Sequence, residues 1–492
     1  MKLKTFEFNK YSYILITLIF IVKVIYILIL NMPLSHEEAY YWCYAKHPDL
    51  SYFDHPAMTA WIIAIFTSIL GDNEFAVRIS SALLSLGTNL LVYESAKKLY
   101  NEKIGFYSVV VLNLTFVYNL YSTYITPDTP LLFFWALSFY LFLKACEKNN
   151  FVYWGLSGIS MGCALLSKYT AIFLPLSLLI MAIILKDYRK YIAGLLFSFA
   201  IALITFSPAI IWNQANDFVS FRFQSSDRFA SHEFHWDYVG GFLALQALYI
   251  TPLIMFGYIY SFICILRKNG KVFADWTVLF TSVPMFLFFV LISPITWSKP
   301  NWTAPILITG LILTTAVYSA KLSENNNKIT KMYTITAVIF AILLNMLFYI
   351  QPLWPQILPP LSKANSMAGW DTLGQKVTQI RDSMPKGRYT FLAGNGYQIA
   401  SELQFYSAKK GEQVYSCDIF SQPALQYDFW KGDRKEKWNN AVFVTSHFIE
   451  LDEALLNKYF VSYEEAEPYD VIVAGEKIRT FRIFKCYGYK GI

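Results

Sequence analysis

Charged side chains are scarce in this sequence: Asp, Glu, Lys and Arg make up 15% of 492 residues, where soluble domains average about a quarter. With 55% of residues hydrophobic, that scarcity excludes an ordinary soluble enzyme and makes a bilayer the expected solvent. The net charge of +7 is modest, which leaves nucleic acid out of the expected partners. Paired cysteines are missing as well. The six are scattered as Cys43, Cys146, Cys163, Cys264, Cys417 and Cys486 without a CxxC spacing, so neither a zinc site nor a redox motif is indicated. Cys163 and Cys264 fall in apolar runs and read as inert packing. Cys417 and Cys486 lie in polar sequence, where an oxidising compartment would allow a disulfide. Phosphate-binding loop, dinucleotide fingerprint and serine elbow are all absent, which argues against soluble nucleotide chemistry. No small-residue cleavage site follows the first apolar stretch, so that stretch reads as a retained span.

What is abundant is long apolar runs. They lie near residues 11 to 31, 76 to 96, 104 to 122, 129 to 146, 151 to 167, 169 to 186, 191 to 212, 239 to 266, 276 to 293, 302 to 320 and 332 to 350, about eleven candidate spans. One alternate set of connections carries Lys2, Lys4, Lys10, Lys97, Lys98, Lys103, Lys144, Lys148, Lys186, Arg189, Lys190, Arg267, Lys268, Lys271, Lys321, Lys328 and Lys331. The other carries only Lys46, Lys168, Arg222, Arg228 and Lys299. Lys/Arg asymmetry places the first set, and the N-terminus, in the cytoplasm. After QPLWPQILPP at residues 351 to 360, short β-type runs alternate with polar helical stretches, as in YTFLAG, AVFVTS and DVIVAG. The expected organisation is a transmembrane domain over residues 1 to 350, a linker over 351 to 362 and a small α/β domain over 363 to 492 outside the membrane.

The rare titratable groups gather in the lysine-poor loops. SHEEAYYW brings Glu37 and Glu38, and YFDHP brings Asp54 and His55 just before Pro56. A carboxylate here is either interfacial, capping a helix, or a general base in a water-poor cleft. Asp54 suits a divalent cation or a capped turn, and His55 suits a proton or a phosphate. Asp128 in TPDTPLLFFW would cap a helix starting near Thr129 or act chemically. Lys168, interrupting apolar sequence where cations are disfavoured, calls for a carboxylate or anion partner. The loop with Arg222, Arg228, His232, Glu233 and His235 mixes cations with aromatics, as an anionic headgroup site does. HEFH has the wrong spacing for a zinc protease, though His235 remains a candidate metal ligand. Lys299 and Asn301 sit at another outer helix start.

EEAYYW, YFDHPAMTAW, TPDTPLLFFW, LLSKYTAIFLP, SPAIIWNQANDFVSFRFQ and GWDTLG together resemble bacterial members of the dolichyl-phosphate-mannose protein mannosyltransferase family. These are polytopic glycosyltransferases of the GT-C fold that use polyprenyl-phosphate sugars, and the lipid A aminoarabinose transferase is a related member. The resemblance implies a membrane all-α bundle with a periplasmic α/β domain, an inner-membrane location, an undecaprenyl-phosphate-linked sugar donor, and lipid A or another envelope glycan as acceptor. Protein O-mannosylation is the alternative acceptor chemistry, and a polyprenyl-lipid transporter is the alternative class. Family members usually carry Asp-Glu in the first loop; here Glu37 stands at the Asp place and keeps the charge on a longer side chain. The resemblance further implies Glu37, Asp54 and Asp128 as catalytic groups, with Glu38, His55, Lys168, Arg222, Arg228 and Lys299 toward substrate and phosphate. A divalent metal would sit at Asp54, with His235 as a further ligand.

Overall fold

A computed structural model describes residues 7–30, 32–225, 234–324, 327–357, 365–385, 387, 389–409, 411–417, 424–430, 433–446 and 453–491. In chain order the helices are α1 (Phe8–Ile29), α2 (His36–Lys46), α3 (Met58–Leu70), α4 (Glu74–Leu99), α5 (Glu102–Leu114), α6 (Phe116–Tyr121), α7 (Asp128–Lys148), α8 (Phe151–Ser167), α9 (Phe173–Ile184), α10 (Ile192–Ala215) and α11 (Val219–Gln224). They continue with α12 (Trp236–Ile250), α13 (Pro252–Arg267), α14 (Phe273–Ile292), α15 (Ile306–Ser323), α16 (Lys328–Leu353), α17 (Trp370–Ser383), α18 (Tyr397–Tyr406) and α19 (Glu453–Tyr459). The strands are β1 (Thr390–Asn395), β2 (Tyr415–Cys417), β3 (Asn440–Ser446), β4 (Phe460–Glu465), β5 (Tyr469–Val473) and β6 (Glu476–Tyr489). The chain forms two compact units, one of Met1–Ile29, His55–Ile62 and Arg78–Phe348, the other of Leu30–Asp54, Ile63–Val77 and Tyr349–Ile492.

The first unit is helical. Among the described residues seven helices are long and apolar enough to cross a membrane, or eight with the pair α12–α13 taken together. The difference from the expected eleven has local causes. α8 and α9 are shorter apolar helices, and so is α3, which was not counted among the expected spans. The run at 104 to 122 is broken at Thr115, where the hydroxyl bonds back to the Leu112 carbonyl and the backbone turns extended. The run at 239 to 266 is broken at Thr251, whose φ of 81° is costly for a β-branched residue. Pro252 then opens α13 without needing an N–H partner, and the two helices bend by 105°.

α8 positions Lys168, which follows its last turn, and α8 is set by close packing on α10. A Cβ on Gly158 would lie 2.4 Å from the Ser198 carbonyl oxygen, and one on Gly162 would lie 2.4 Å from Thr205 Cβ. Two small residues one turn apart let the backbones approach, which is how helices associate where lipid competes for apolar surface. The Ser198 hydroxyl closes the contact by donating to the Trp154 carbonyl at 2.7 Å.

The second unit contains a six-stranded mixed sheet ordered β2-β1-β3-β6-β4, with β5 also on β6. β1 runs parallel to β2 and β3, while β6 is antiparallel to β3, β4 and β5. β1 is buried along its whole length and β3 nearly so, as the continuous apolar runs TFLAG and AVFV require. Phe391, Phe443 and Phe484 fill one face of this sheet. The unit also includes α2, which lies on α18 through Trp42 on Phe405, ring centroids 4.8 Å apart. Cys486 is buried, and the Cys417 side chain lies outside the described residues.

Gly162→Val should push α8 from α10 and lower stability by about 1–3 kcal/mol, read as a fall in the thermal midpoint of detergent-solubilised protein. Gly240→Ala, inside α12 with nothing within 4 Å of its added Cβ, should instead hold or slightly raise the midpoint.

Candidate functional site

In the first unit a buried ion pair lies beside a pocket. Asp128 is the first residue of α7, and its carboxylate accepts from Lys168 Nζ at 2.8 and 3.0 Å. Asn301 Nδ2 donates to the same carboxylate at 2.9 Å. Asp128 and Lys168 are 2% and 4% exposed, so each charge depends on the other for its burial. The expected capping role of Asp128 is not observed: Pro127 occupies the cap position and the carboxylate turns to Lys168. Asn301 is held by a short 3-10 turn, Pro300–Thr303, which Gln246 braces through the Pro300 carbonyl and the Thr303 hydroxyl.

Next to this pair lies a pocket of about 230 Å³ lined by His55, Lys168, Lys299 and Asn301, with Tyr169, Phe289 and Trp302 among its aromatic walls. Tyr169 is fixed by a 2.7 Å hydrogen bond with the Ser220 hydroxyl. Two lysines and a titratable imidazole facing aromatic walls suit an anionic group carried on an apolar molecule. Of the expected phosphate ligands, the structure thus gathers His55, Lys168 and Lys299 here. Arg222 lies exposed on α11 and does not line the pocket, whereas Gln224 of the same helix does. Arg228, His232 and Glu233 lie outside the described residues.

The second unit holds the first-loop carboxylates. Glu38, expected toward substrate, is fully buried and closes its own helix instead: it accepts from the Ser35 backbone while Ser35 Oγ accepts from the Glu38 N–H. Glu37, one residue earlier, is left outward on the first turn of α2. Tyr397 Oη donates to its carboxylate at 3.3 Å, across 360 residues of sequence. Asp54 is buried, and the hydroxyls of Tyr44 and Tyr40 both donate to it, the latter at 3.2 Å. Burial pushes the Asp54 carboxyl up to about 6, and the negative charge of Glu37 adds to the rise, while the tyrosine hydrogen bonds oppose it. Gln426 anchors the arrangement, its N–H donating to Tyr40 Oη at 3.0 Å and its side-chain carbonyl accepting from the Phe53 N–H at 2.7 Å.

A metal at Asp54 does not fit this surrounding. Its carboxylate is met by phenol donors, and no group of three His, Cys, Asp or Glu able to hold an ion exists among the described residues. His235 stacks on Tyr238 and approaches Asp237 at 3.9 Å, far from a ligand set.

Residues 54–212 match the family model of dolichyl-phosphate-mannose-protein mannosyltransferases. A lipid A galacturonosyltransferase, RgtD, of Rhizobium johnstonii is 24% identical over 56% of this chain and 59% of its own. An undecaprenyl phosphate-alpha-4-amino-4-deoxy-L-arabinose arabinosyl transferase of Shewanella sediminis is 27% identical over 43% of this chain and 38% of its own. The chain therefore spans less than two thirds of the length of these curated relatives, 59% of one and 38% of the other. In fold the coverage is nearly complete: apo ArnT from Cupriavidus metallidurans aligns over 97% of this chain and 98% of its own, with a TM-score of 0.64 at 15% identity. The chain shares the fold of ArnT, and over about a third of its length it is similar to the dolichyl-phosphate-mannose-protein mannosyltransferase family. A structure of the same ArnT is described as bound to undecaprenyl phosphate. The segment that matches the family model starts at Asp54 and includes His55, Asp128 and Lys168, but not Glu37, Lys299 or Asn301.

Sequence reading alone did not find Tyr397, Tyr40, Tyr44 or Gln426 as partners of the acidic loop. Only the tyrosine richness of EEAYYWCY hinted that phenols would surround a carboxylate there.

Two outcomes follow from these geometries. Lys168→Ala leaves Asp128 buried without its counter-ion and should cost about 3–5 kcal/mol of stability, whereas Asp128→Asn combined with Lys168→Met should recover most of it in thermal unfolding. Because the Asp54 pKa is raised from about 3.9, its burial contribution is most favourable below pH ~4, falls as pH rises to about 6 and is constant above. Asp54→Asn should flatten the pH dependence of unfolding in that window. Tyr44→Phe, which removes a bond favouring the carboxylate, should move its upper edge upward.

Proposed function

We propose that this protein is an inner-membrane glycosyltransferase that takes a sugar from undecaprenyl phosphate and transfers it to lipid A on the periplasmic face. The observation that carries the reading is the pocket of His55, Lys168 and Lys299 against aromatic walls. It has the charge for a lipid phosphate and the apolar surface for what the phosphate is attached to. The undecaprenyl-phosphate and lipid A terms in the relatives' names support the same donor and acceptor. The lysine-rich connections support a cytoplasmic N-terminus, with the acidic first loop and the C-terminal domain on the opposite side.

In the mechanism Glu37 takes the proton from an acceptor hydroxyl. The oxygen attacks the anomeric carbon, and the bond to the phosphate oxygen breaks with its electron pair going to the phosphate. Attack opposite the leaving group inverts the anomeric centre. The charge gathering on the leaving phosphate is met by His55, Lys168 and Lys299 in a site with little water, where fixed cations act strongly. Asp128, itself held by Asn301, holds Lys168 in place.

The two carboxylates of the second unit divide the work by environment. Glu37 sits partly exposed beside one phenol and acts as base, while Asp54 is enclosed and positions its loop. Protein O-mannosylation is the second reading, favoured by the description of the matching family model.

The test is transfer in proteoliposomes supplied with undecaprenyl-phosphate sugar and lipid A. Glu37→Gln should insert and fold normally yet lose transfer by a factor of at least about 100, the usual contribution of a general base. Full transfer by that variant would remove Glu37 from the base role. Label appearing in protein instead of lipid would select O-mannosylation.

A further inference from the structure

A second cavity in the first unit, of about 530 Å³, shares no residue with the pocket of His55 and Lys168. It runs between α5, α13, α15 and α16. Lys103, Tyr107, Val111 and Leu114 form one stripe of α5 along it, faced by Tyr318 of α15 and Ala337 of α16. One end is basic. Lys103 lines the cavity and is exposed there, in the first turn of α5.

The other end is closed. The Leu114 carbonyl is taken by Thr251 Oγ1 at 3.3 Å and Asn345 Nδ2 at 2.8 Å, where α5 breaks and α12 bends into α13. From Lys103 to Leu114 the groove is about 16 Å long at 1.5 Å per helical residue. That is roughly half of the ~30 Å hydrocarbon core, the reach of one lipid leaflet.

We infer that this groove binds one acyl chain of an anionic glycerophospholipid, with the lipid phosphate on Lys103. Depth, apolar walls and a cation at the mouth together match a single-leaflet lipid whose headgroup lies at the basic end. A zwitterionic lipid would fill the same walls but gain little from Lys103. The bound lipid would fasten α16 to α5 and α15 and support the bend at Thr251.

Native mass spectrometry of the full-length protein, with phosphatidylglycerol or phosphatidylcholine added to the detergent micelles, tests this. The wild type should retain phosphatidylglycerol over phosphatidylcholine by about fivefold, the contribution of one lysine near a lipid phosphate. Lys103→Gln, a change at an exposed side chain, should bring that ratio close to one. Ala337→Phe, which fills the groove, should reduce retention of both lipids without changing the ratio. Equal retention of the two lipids by the wild type, or an unchanged preference in Lys103→Gln, would overturn the inference. So would displacement of phosphatidylglycerol by undecaprenyl phosphate, which would give the groove to the donor's tail.

Discussion

The buried ion pair of Asp128 and Lys168 is the interaction on which the rest of the first unit's site depends. Either charge alone would be expensive among apolar helices, and together with Asn301 they satisfy each other. Their pairing fixes three pieces of chain at once: the start of α7, the end of α8 and the turn at Pro300–Thr303. Lys168 and Asn301 then form part of a pocket wall, so a structural necessity also shapes a place for an anion. The close packing of α8 on α10 through Gly158 and Gly162 serves the same end, since it sets where α8 delivers the lysine.

A different constraint governs the second unit. There the problem is how to keep several carboxylates near one another with so few cations, and the solution is phenols. Tyr40 and Tyr44 donate to Asp54, and Tyr397 donates to Glu37. Hydrogen bonds from neutral donors stabilise a carboxylate without adding a counter-charge. Glu38 leaves the contest by capping its own helix. The grouping of α2 with the C-terminal sheet in one unit makes the α/β domain part of the acidic site's architecture rather than an appendage.

Much of this was legible in the residues. Lys168 stood out because a lysine at an apolar span end on the lysine-poor side needs an anion, and it has one in Asp128. The strands β1, β3 and β5 announced themselves as short apolar runs between polar stretches. The breaks at Thr115 and Thr251 were not legible, because hydropathy stays high across them and the cause is backbone conformation at one residue. Nor was the Tyr397 contact to Glu37, which depends on a fold that closes 360 residues of chain. Arg222 was misplaced for a related reason. Composition marked its loop as cationic, but helical phase on α11 sends Gln224, not the arginine, into the pocket wall.

The proposed activity moves a sugar from a polyprenyl phosphate to lipid A. The most direct measurement is the mass spectrum of lipid A from otherwise identical cells with and without the gene. Sugar transfer to lipid A predicts a species present only with the gene, heavier by one glycosyl residue, whose mass names the sugar. Identical lipid A spectra from the two strains, with the donor lipid present in both, would contradict it.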